Sequence, residues 1–264
     1  MAGAAARIDL FDAHLHVIDP RFPLVAGSGF LPAPFTCGQY RARTAPFALR
    51  GGAVVSASFQ GVDQEYLRAA LAELGPGFVG VTQLSGSVSD ETVLALDRAG
   101  VRALRFNLRR GGSAGADCLA GLARRVHALA GWHVEIYADA AELTRIAGVI
   151  ANLPAVVIDH LGLEAAALPL LRELVRAGVR VKASGFGRLD YDPRIALETL
   201  AACDPQALVF GTDLPSTRAP RPFQDEDVNL VLDTLGAELG ARVLCENALD
   251  LYRIAPARSP PAYA

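Results

Sequence analysis

The sequence predicts an α/β protein, a single-domain (β/α)8 TIM barrel, and three observations predict it. Short apolar, β-branched runs alternate with helix-like segments; there are eight such runs; and their near-continuous Val/Ile/Leu character fits parallel strands buried on both faces. A chain of 264 residues, 52% hydrophobic, suits one barrel of roughly 250 residues better than two small domains. The rival is an open doubly wound sheet. A GxGxxG turn after a strand would favour it, and the sequence has none.

The strand candidates, in order, are "RIDLFDAH" (7–14), "GAVVSAS" (52–58), "FVGVTQL" (78–84), "VRALRFN" (101–107), "HVEIYAD" (133–139), "AVVIDHL" (155–161), "VRVKASG" (179–185) and "ALVFGTD" (207–213). The segments between them read as helices. In "QEYLRAALAEL", Leu67, Ala70, Leu71 and Leu74 fall on one helical face, and in "DEDVNLVLDTLGAEL" Val228, Val231, Leu232, Leu235 and Leu239 do the same. Gly75, Gly100, Gly131, Gly178 and Gly240 each follow a helical run, where a left-handed cap is expected. The domain is expected to span 1–254. Residues 19–51, with "DPRFPLVAGSGFLPAPFTCGQY", read as a flap-like loop over the barrel mouth, since a loop this long is usually functional or disordered and its aromatics argue against disorder. The Pro/Ala-rich stretch 255–264 reads as a mobile tail.

Composition narrows the function classes. Net charge is −3 with no basic stripe, so nucleic acid and anionic membrane are not expected partners. No apolar window is long enough to span a bilayer, and the start "MAGAAARIDLF" lacks the apolar core of a secretory signal. Cys37, Cys118, Cys203 and Cys245 are scattered and fit free thiols, so a cytoplasmic location is expected, as a monomer or homodimer.

In α/β barrels chemistry collects at the C-terminal ends of the strands. Read that way, the first strand offers His14 and His16, the second Ser56 and Ser58, the fourth Arg105 and Asn107 with Arg109 and Arg110 just after, and the fifth Tyr137 and Asp139. The sixth offers Asp159 and His160, the seventh Lys182 and Ser184 with Arg188 beyond, and the eighth Asp213. His14 and His16 are two residues apart, so on a regular strand both face one way. Each residue also has a structural reading. An HxH pair can be a hydrogen-bonded core pair, His160 a satisfied core residue, Asp213 a helix N-cap, and Arg105 the partner of a structural carboxylate. The coincidence of three histidines and one aspartate at strand ends favours function. His127 and His133, mid-helix and at the start of a strand, read as structural.

These residues resemble a known family. "DAHLHV", "VIDHLG", "FGTDLP" and "ENALDLYRI" resemble the amidohydrolase-related branch of the amidohydrolase superfamily, and "ASFQGVD", "VRALRFNLRR", "EIYAD" and "KASGFGR" resemble its 2-pyrone-4,6-dicarboxylate lactonase group and related lactone hydrolases. The resemblance spans residues 9 to 254. It implies hydrolysis of an acidic lactone, a small cyclic ester, often without a metal. Asp213 would activate water; His14, His16 and His160 would polarise the lactone carbonyl. Ser58, Arg105, Arg110, Tyr137 and Arg188 would hold the substrate's ring and carboxylates, with Arg110 matched across a one-residue gap. Phe35 stands where the dicarboxylate lactonases carry a substrate-binding Tyr, which opens the identity of the substrate.

Two independent arguments support that chemistry. Lactone hydrolysis needs a base beside water and donors where the oxyanion forms. Arginine forks suit carboxylates. Other readings stay open. A single Zn²⁺ could take His14, His16, His160 and Asp213, as in the zinc-dependent decarboxylases of the same branch, although the fifth strand ends in "EIYAD" without a histidine. No strand-four lysine is available to bridge two metals. Lys182, the sole lysine, could be a Schiff-base nucleophile. The more modest reading pairs it with a nearby carboxylate, Asp213 foremost. A non-catalytic anion-binding barrel is the last alternative.

Overall fold

A computed structural model describes residues 7–26 and 29–254. The tail expected at 255–264 lies outside the described residues. The chain runs β1 (Asp9–Leu15), α1 (Cys37–Thr44), β2 (Ala48–Val55), α2 (Glu65–Leu74), β3 (Phe78–Thr82), α3 (Asp90–Arg98), β4 (Val101–Asn107), α4 (Leu119–Ala130) and β5 (His133–Tyr137). It continues through α5 (Ala140–Ile150), β6 (Val156–Ile158), α6 (Leu168–Arg176), β7 (Arg180–Ser184), α7 (Pro193–Cys203), β8 (Leu208–Gly211), α8 (Glu226–Ala241) and α9 (Asn247–Tyr252).

The eight strands pair in parallel and in sequence order, β1 to β8. A parallel bridge between Leu15 and Leu214 brings the last strand's exit back to the first. This is a (β/α)8 TIM barrel. Side chains alternate as the pleat requires. On β4, Leu104 and Phe106 join the outer core under the helices, while Arg105 and Asn107 point inward. The floor of the barrel is apolar, packed from Phe11, Ala13, Ala53, Val55, Val79, Val81, Ala103 and Val209, and Tyr252 of α9 seals it by stacking on Phe11 at 5.6 Å between ring centroids. Among the described residues, no helix is long and apolar enough to cross a membrane.

Three sequence-based expectations change. The second strand begins at Ala48, not 52, because Gly51 and Gly52 sit inside it rather than breaking it. A Cβ on Gly51 would lie 2.0 Å from Gly77 O, and one on Gly52 2.9 Å from Asp12 O, so only glycine lets these strands approach. The flap-like region contains α1, started by a capping box in which Thr36 and Gln39 satisfy each other's backbone N–H groups. Gly240 lies inside α8 rather than after it, packed where a Cβ would lie 2.8 Å from Leu232 Cδ2. Gly75, Gly100, Gly131 and Gly178 do hold positive φ after their helices.

Candidate active site

The histidine pair owes its placement to a break in the pleat. The β1–β2 register shifts between Asp12 and Leu15. Below the shift Phe11 and Ala13 face the barrel floor; above it His14 and His16 turn into the mouth, as bulges beside active sites re-aim side chains. Their rings meet edge to face, with centroids 5.0 Å apart, and the His14 ring lies 4.6 Å from that of His160.

Asp213 completes the cluster. Its Oδ1 lies 4.0 Å from His14 Nε2, 3.7 Å from His16 Nε2 and 3.9 Å from His160 Nε2. Both Asp213 Oδ1 and His14 Nε2 are buried without a hydrogen-bond partner. Asp213 and His160 hold left-handed backbone, with φ of 60° and 52°. Each such residue costs of order 1–3 kcal/mol, strain that concentrates where function requires it. The backbone tethers the cluster directly, since Asp213 N donates to His14 O at 2.7 Å and His16 N to Leu214 O at 2.8 Å.

Asp12 is the anchor beneath. Its carboxylate accepts from Thr212 N (2.8 Å), Thr212 Oγ1 (2.6 Å), Tyr40 OH (3.1 Å) and His14 N (3.2 Å). It thereby ties β1 to the turn that carries Asp213. Burial pushes its pKa up to about 6, against those four hydrogen bonds, which pull down.

Hydrogen-bond partners assign the ring protons. His16 Nδ1 lies 2.7 Å from Val55 O, a group that only accepts, so Nδ1 carries the hydrogen and a neutral His16 presents a lone pair at Nε2. His14 Nδ1 lies between Lys182 Nζ at 3.3 Å, which only donates, and Asp159 Oδ1 at 3.5 Å, which only accepts; donation from the lysine puts the His14 hydrogen on Nε2, donation to the aspartate keeps it on Nδ1. His160 Nδ1 lies 2.9 Å from Ser184 Oγ, which can donate or accept. Burial, reinforced by Lys182, holds the His14 pKa well below the usual histidine range. Burial likewise brings His160 down to about 4, so both rings are neutral at pH 7. For Asp213 burial acts upward, but the Arg188 guanidinium beside it overrides it and holds the carboxylate well below its usual range.

Eight of the nine expected site residues line one cavity of about 360 Å³: His16, Ser58, Arg105, Arg110, Tyr137, His160, Arg188 and Asp213. His14 lies just beneath it. Two of the arginines are engaged. Arg105 gives Nε (3.1 Å) and Nη2 (2.9 Å) to Asp159 Oδ2 and Nη1 to Ser56 O (2.8 Å). Arg188 Nε donates to Asp213 Oδ2 at 2.6 Å. Arg218, Asn107 and Phe59 also line the cavity. Arg218 sits beyond the last strand, and its Cζ lies 4.0 Å from the centroid of the Phe30 ring, linking the long loop to the mouth. Phe35 is not among the lining residues; it pairs with Ile18 and packs against Ile18, Ala57 and Phe59.

Lys182 is fully buried, and its partner is not the expected one. Nζ donates to Glu135 Oε2 at 2.5 Å and lies 3.8 Å from Asp159 Oδ1. Asp213 instead takes Arg188. Glu135 also accepts from Tyr252 OH at 2.7 Å and faces His133 Nε2 at 3.2 Å. His133 is thus structural, as expected. Lys182 and Arg105 balance Glu135 and Asp159, and both carboxylates are held below their usual range despite burial, Glu135 by Lys182 and Asp159 by Arg105 and Lys182.

Nitrogens of His14 and His160 and an oxygen of Asp213 lie within 4.8 Å of one another, close enough to share an ion. One feature weighs against a cation there: Lys182, Arg105 and Arg188 already balance Glu135, Asp159 and Asp213, so the carboxylates around the cluster have their counter-charges without an added ion.

Residues 11–254 match the amidohydrolase family. A curated 2-pyrone-4,6-dicarboxylate hydrolase of Comamonas testosteroni is 33% identical over 156 residues, covering 57% of this chain and 51% of that protein. The chain thus spans about half the length of the curated relative it matches. A solved structure from Pseudomonas putida, assigned provisionally as a 2-pyrone-4,6-dicarboxylic acid hydrolase, is 26% identical with a TM-score of 0.76 over 94% of this chain and 98% of its own. A structure from Agrobacterium tumefaciens reaches a TM-score of 0.82 at 21% identity, over 97% and 99% of the two chains, a likeness of fold.

Proposed function

The chain belongs to the amidohydrolase family, and on that premise we propose that it hydrolyses a carboxylated cyclic ester, of the 2-pyrone-4,6-dicarboxylate kind or a related acidic lactone, without a metal ion. One observation carries this reading. Asp213 Oδ1, a buried acceptor with no partner, faces three imidazole nitrogens at 3.7–4.0 Å, in the wall of a cavity edged by arginines. The similarity to the Comamonas hydrolase supports the substrate class.

The chemistry follows from the proton assignments. A water molecule donates one hydrogen to Asp213 Oδ1 and the other to His16 Nε2, leaving a lone pair for the ring carbonyl. Asp213 takes the proton as the water oxygen bonds to the carbonyl carbon. The oxyanion accepts from His14 Nε2–H, an orphan donor prepared in advance; such donors are worth roughly 3–4 kcal/mol in other enzymes. The ring C–O bond then breaks and the leaving oxygen receives the proton from Asp213. His16 therefore orients water rather than polarising the carbonyl, because its own N–H is spent on Val55 O.

Substrate charge completes the site. A carboxylate held as low as Asp213 is a weak base, and Arg188 is the principal counter-charge. A substrate carboxylate that draws the Arg188 guanidinium onto itself raises the basicity of Asp213 when the ring is in place. Arg110 and Arg218 serve a second carboxylate, with Ser58 and Tyr137 against the ring.

A mononuclear zinc enzyme is the second reading, favoured by the proximity of His14, His160 and Asp213. The test is a panel of pyrone dicarboxylates, muconolactones and aldonolactones, run with metal analysis of the same sample. Turnover that survives chelation supports the proposal. Loss of turnover on chelation, restored by zinc, would overturn the metal-free reading, and tight binding with no turnover of any lactone would make the barrel a binding protein.

A further inference from the structure

We propose that Lys182 is a positioning residue that locks His14 as the Nε2–H tautomer, and that this lock both supplies the site's oxyanion donor and disables the histidine cluster as a metal site. The inference deepens the metal-free reading of the same site and rests on it.

The geometry begins with a choice at His14. Its Nδ1 has two neighbours, Lys182 Nζ at 3.3 Å and Asp159 Oδ1 at 3.5 Å. Donation from lysine leaves Nδ1 as the acceptor and puts the hydrogen on Nε2. Donation to aspartate would do the reverse, freeing Nε2 as a lone pair facing His160 and Asp213. An ammonium has three hydrogens and no lone pair, so while Lys182 is charged and in place only the first arrangement uses its contact. Asp159 Oδ1 is itself buried without a hydrogen-bond partner, so the alternative acceptor stands ready if the lysine is removed.

The surroundings keep Lys182 in place. It is 0% exposed, and Glu135 holds Nζ at 2.5 Å. Tyr252 OH and His133 in turn hold the other oxygen of Glu135. A metal-ligating histidine usually donates its remote N–H to a carboxylate or carbonyl, which leaves the near nitrogen free to bind. At His14 a cation, 3.3 Å from Nδ1, competes with the Asp159 carboxylate at 3.5 Å for that place.

The test uses the full chain with ¹⁵N-labelled histidine. In the wild type, long-range ¹H–¹⁵N spectra should show His14 protonated at Nε2 alone, its signals assigned by their loss in His14→Gln. In Lys182→Met, and in Lys182→Met/Glu135→Gln, which removes both charges should the single variant fail to fold, the hydrogen should move to Nδ1. Zn²⁺ titration should then show tighter binding than wild type by on the order of 10- to 100-fold, the scale on which remote partners set the metal affinity of a histidine. A wild-type His14 protonated at Nδ1, or folded variants with unchanged tautomer and unchanged Zn²⁺ affinity, would overturn the proposal. Failure of the metal-free reading itself looks different: the wild type would hold stoichiometric metal needed for turnover.

Discussion

Asp12 gives the sharpest test of the energetics beneath the site. Its carboxylate is completely buried with four donors but no cation, and its pKa is pushed up to about 6 from 3.8 by burial. The folded state therefore binds this proton more tightly than the unfolded chain does. A group with a raised folded pKa contributes stability that is fully present below its unfolded value and is lost as pH rises through the folded one. The shift is about two units, so ionisation of Asp12 costs about 3 kcal/mol at full extent, at about 1.36 kcal/mol per unit. Between pH 4.5 and 7.5 about 2 kcal/mol of that should be lost. Asp12→Asn cannot titrate, so the measurement is urea unfolding of both proteins across that range, read as the difference between them. Titrations elsewhere cancel. The wild type should lose stability relative to the variant by about 2 kcal/mol as pH rises. A flat difference, or one of opposite sign, would mean that the hydrogen bonds from Thr212, Tyr40 and His14 outweigh burial, and the argument that desolvation dominates here would fail.

Other outcomes follow from the same geometry. Asp213→Asn should reduce kcat by about 10²–10⁴, the usual range for a positioned base, while calorimetry still shows lactone binding; near-normal turnover would remove it from the mechanism. Lys182→Met should cost about 3–5 kcal/mol in urea unfolding by stranding Glu135, and Glu135→Gln added to it should recover part of that loss; additive losses would refute the pairing. Gly211→Ala would set a Cβ 2.7 Å from His14 N, so it should lower both Tm and turnover; wild-type values in both would show that the two strands can part without harm. Arg218→Gln should raise KM for a dicarboxylate more than for a monocarboxylate, and equal effects would remove Arg218 from substrate recognition.

How much of this could be read in advance depends on distance along the chain. The eight strands were visible because alternating apolar segments carry their own period, and strand ends could be aligned once the barrel was assumed. His14, His16, His160 and Asp213 lay at those ends. The lysine partner could not be chosen from strand ends alone, because Glu135 lies two residues before Tyr137, deeper in the barrel on the same inward face. A glutamate inside an apolar strand was the available signal, since burying it demands a counter-charge. Helix α1 was hidden by its polar composition and the prolines before it, although the Thr36–Gln39 box announced its start. Arg218 lies in a turn whose path no periodicity reveals. The break in β1 that turns His14 and His16 inward depends on the register against β2, which is a property of two strands and not of one.

The plug formed by Tyr252 has a bearing on how the chain matures. The innermost charges are brought together from β5, β6 and β7, yet one oxygen of Glu135 acquires its hydroxyl donor only from a helix at residues 247–252. During synthesis every strand leaves the ribosome before that hydroxyl does. A polypeptide ending before Tyr252 would lack both the ring that stacks on Phe11 and the hydroxyl that meets Glu135, so the floor of its barrel would have no cover at that point.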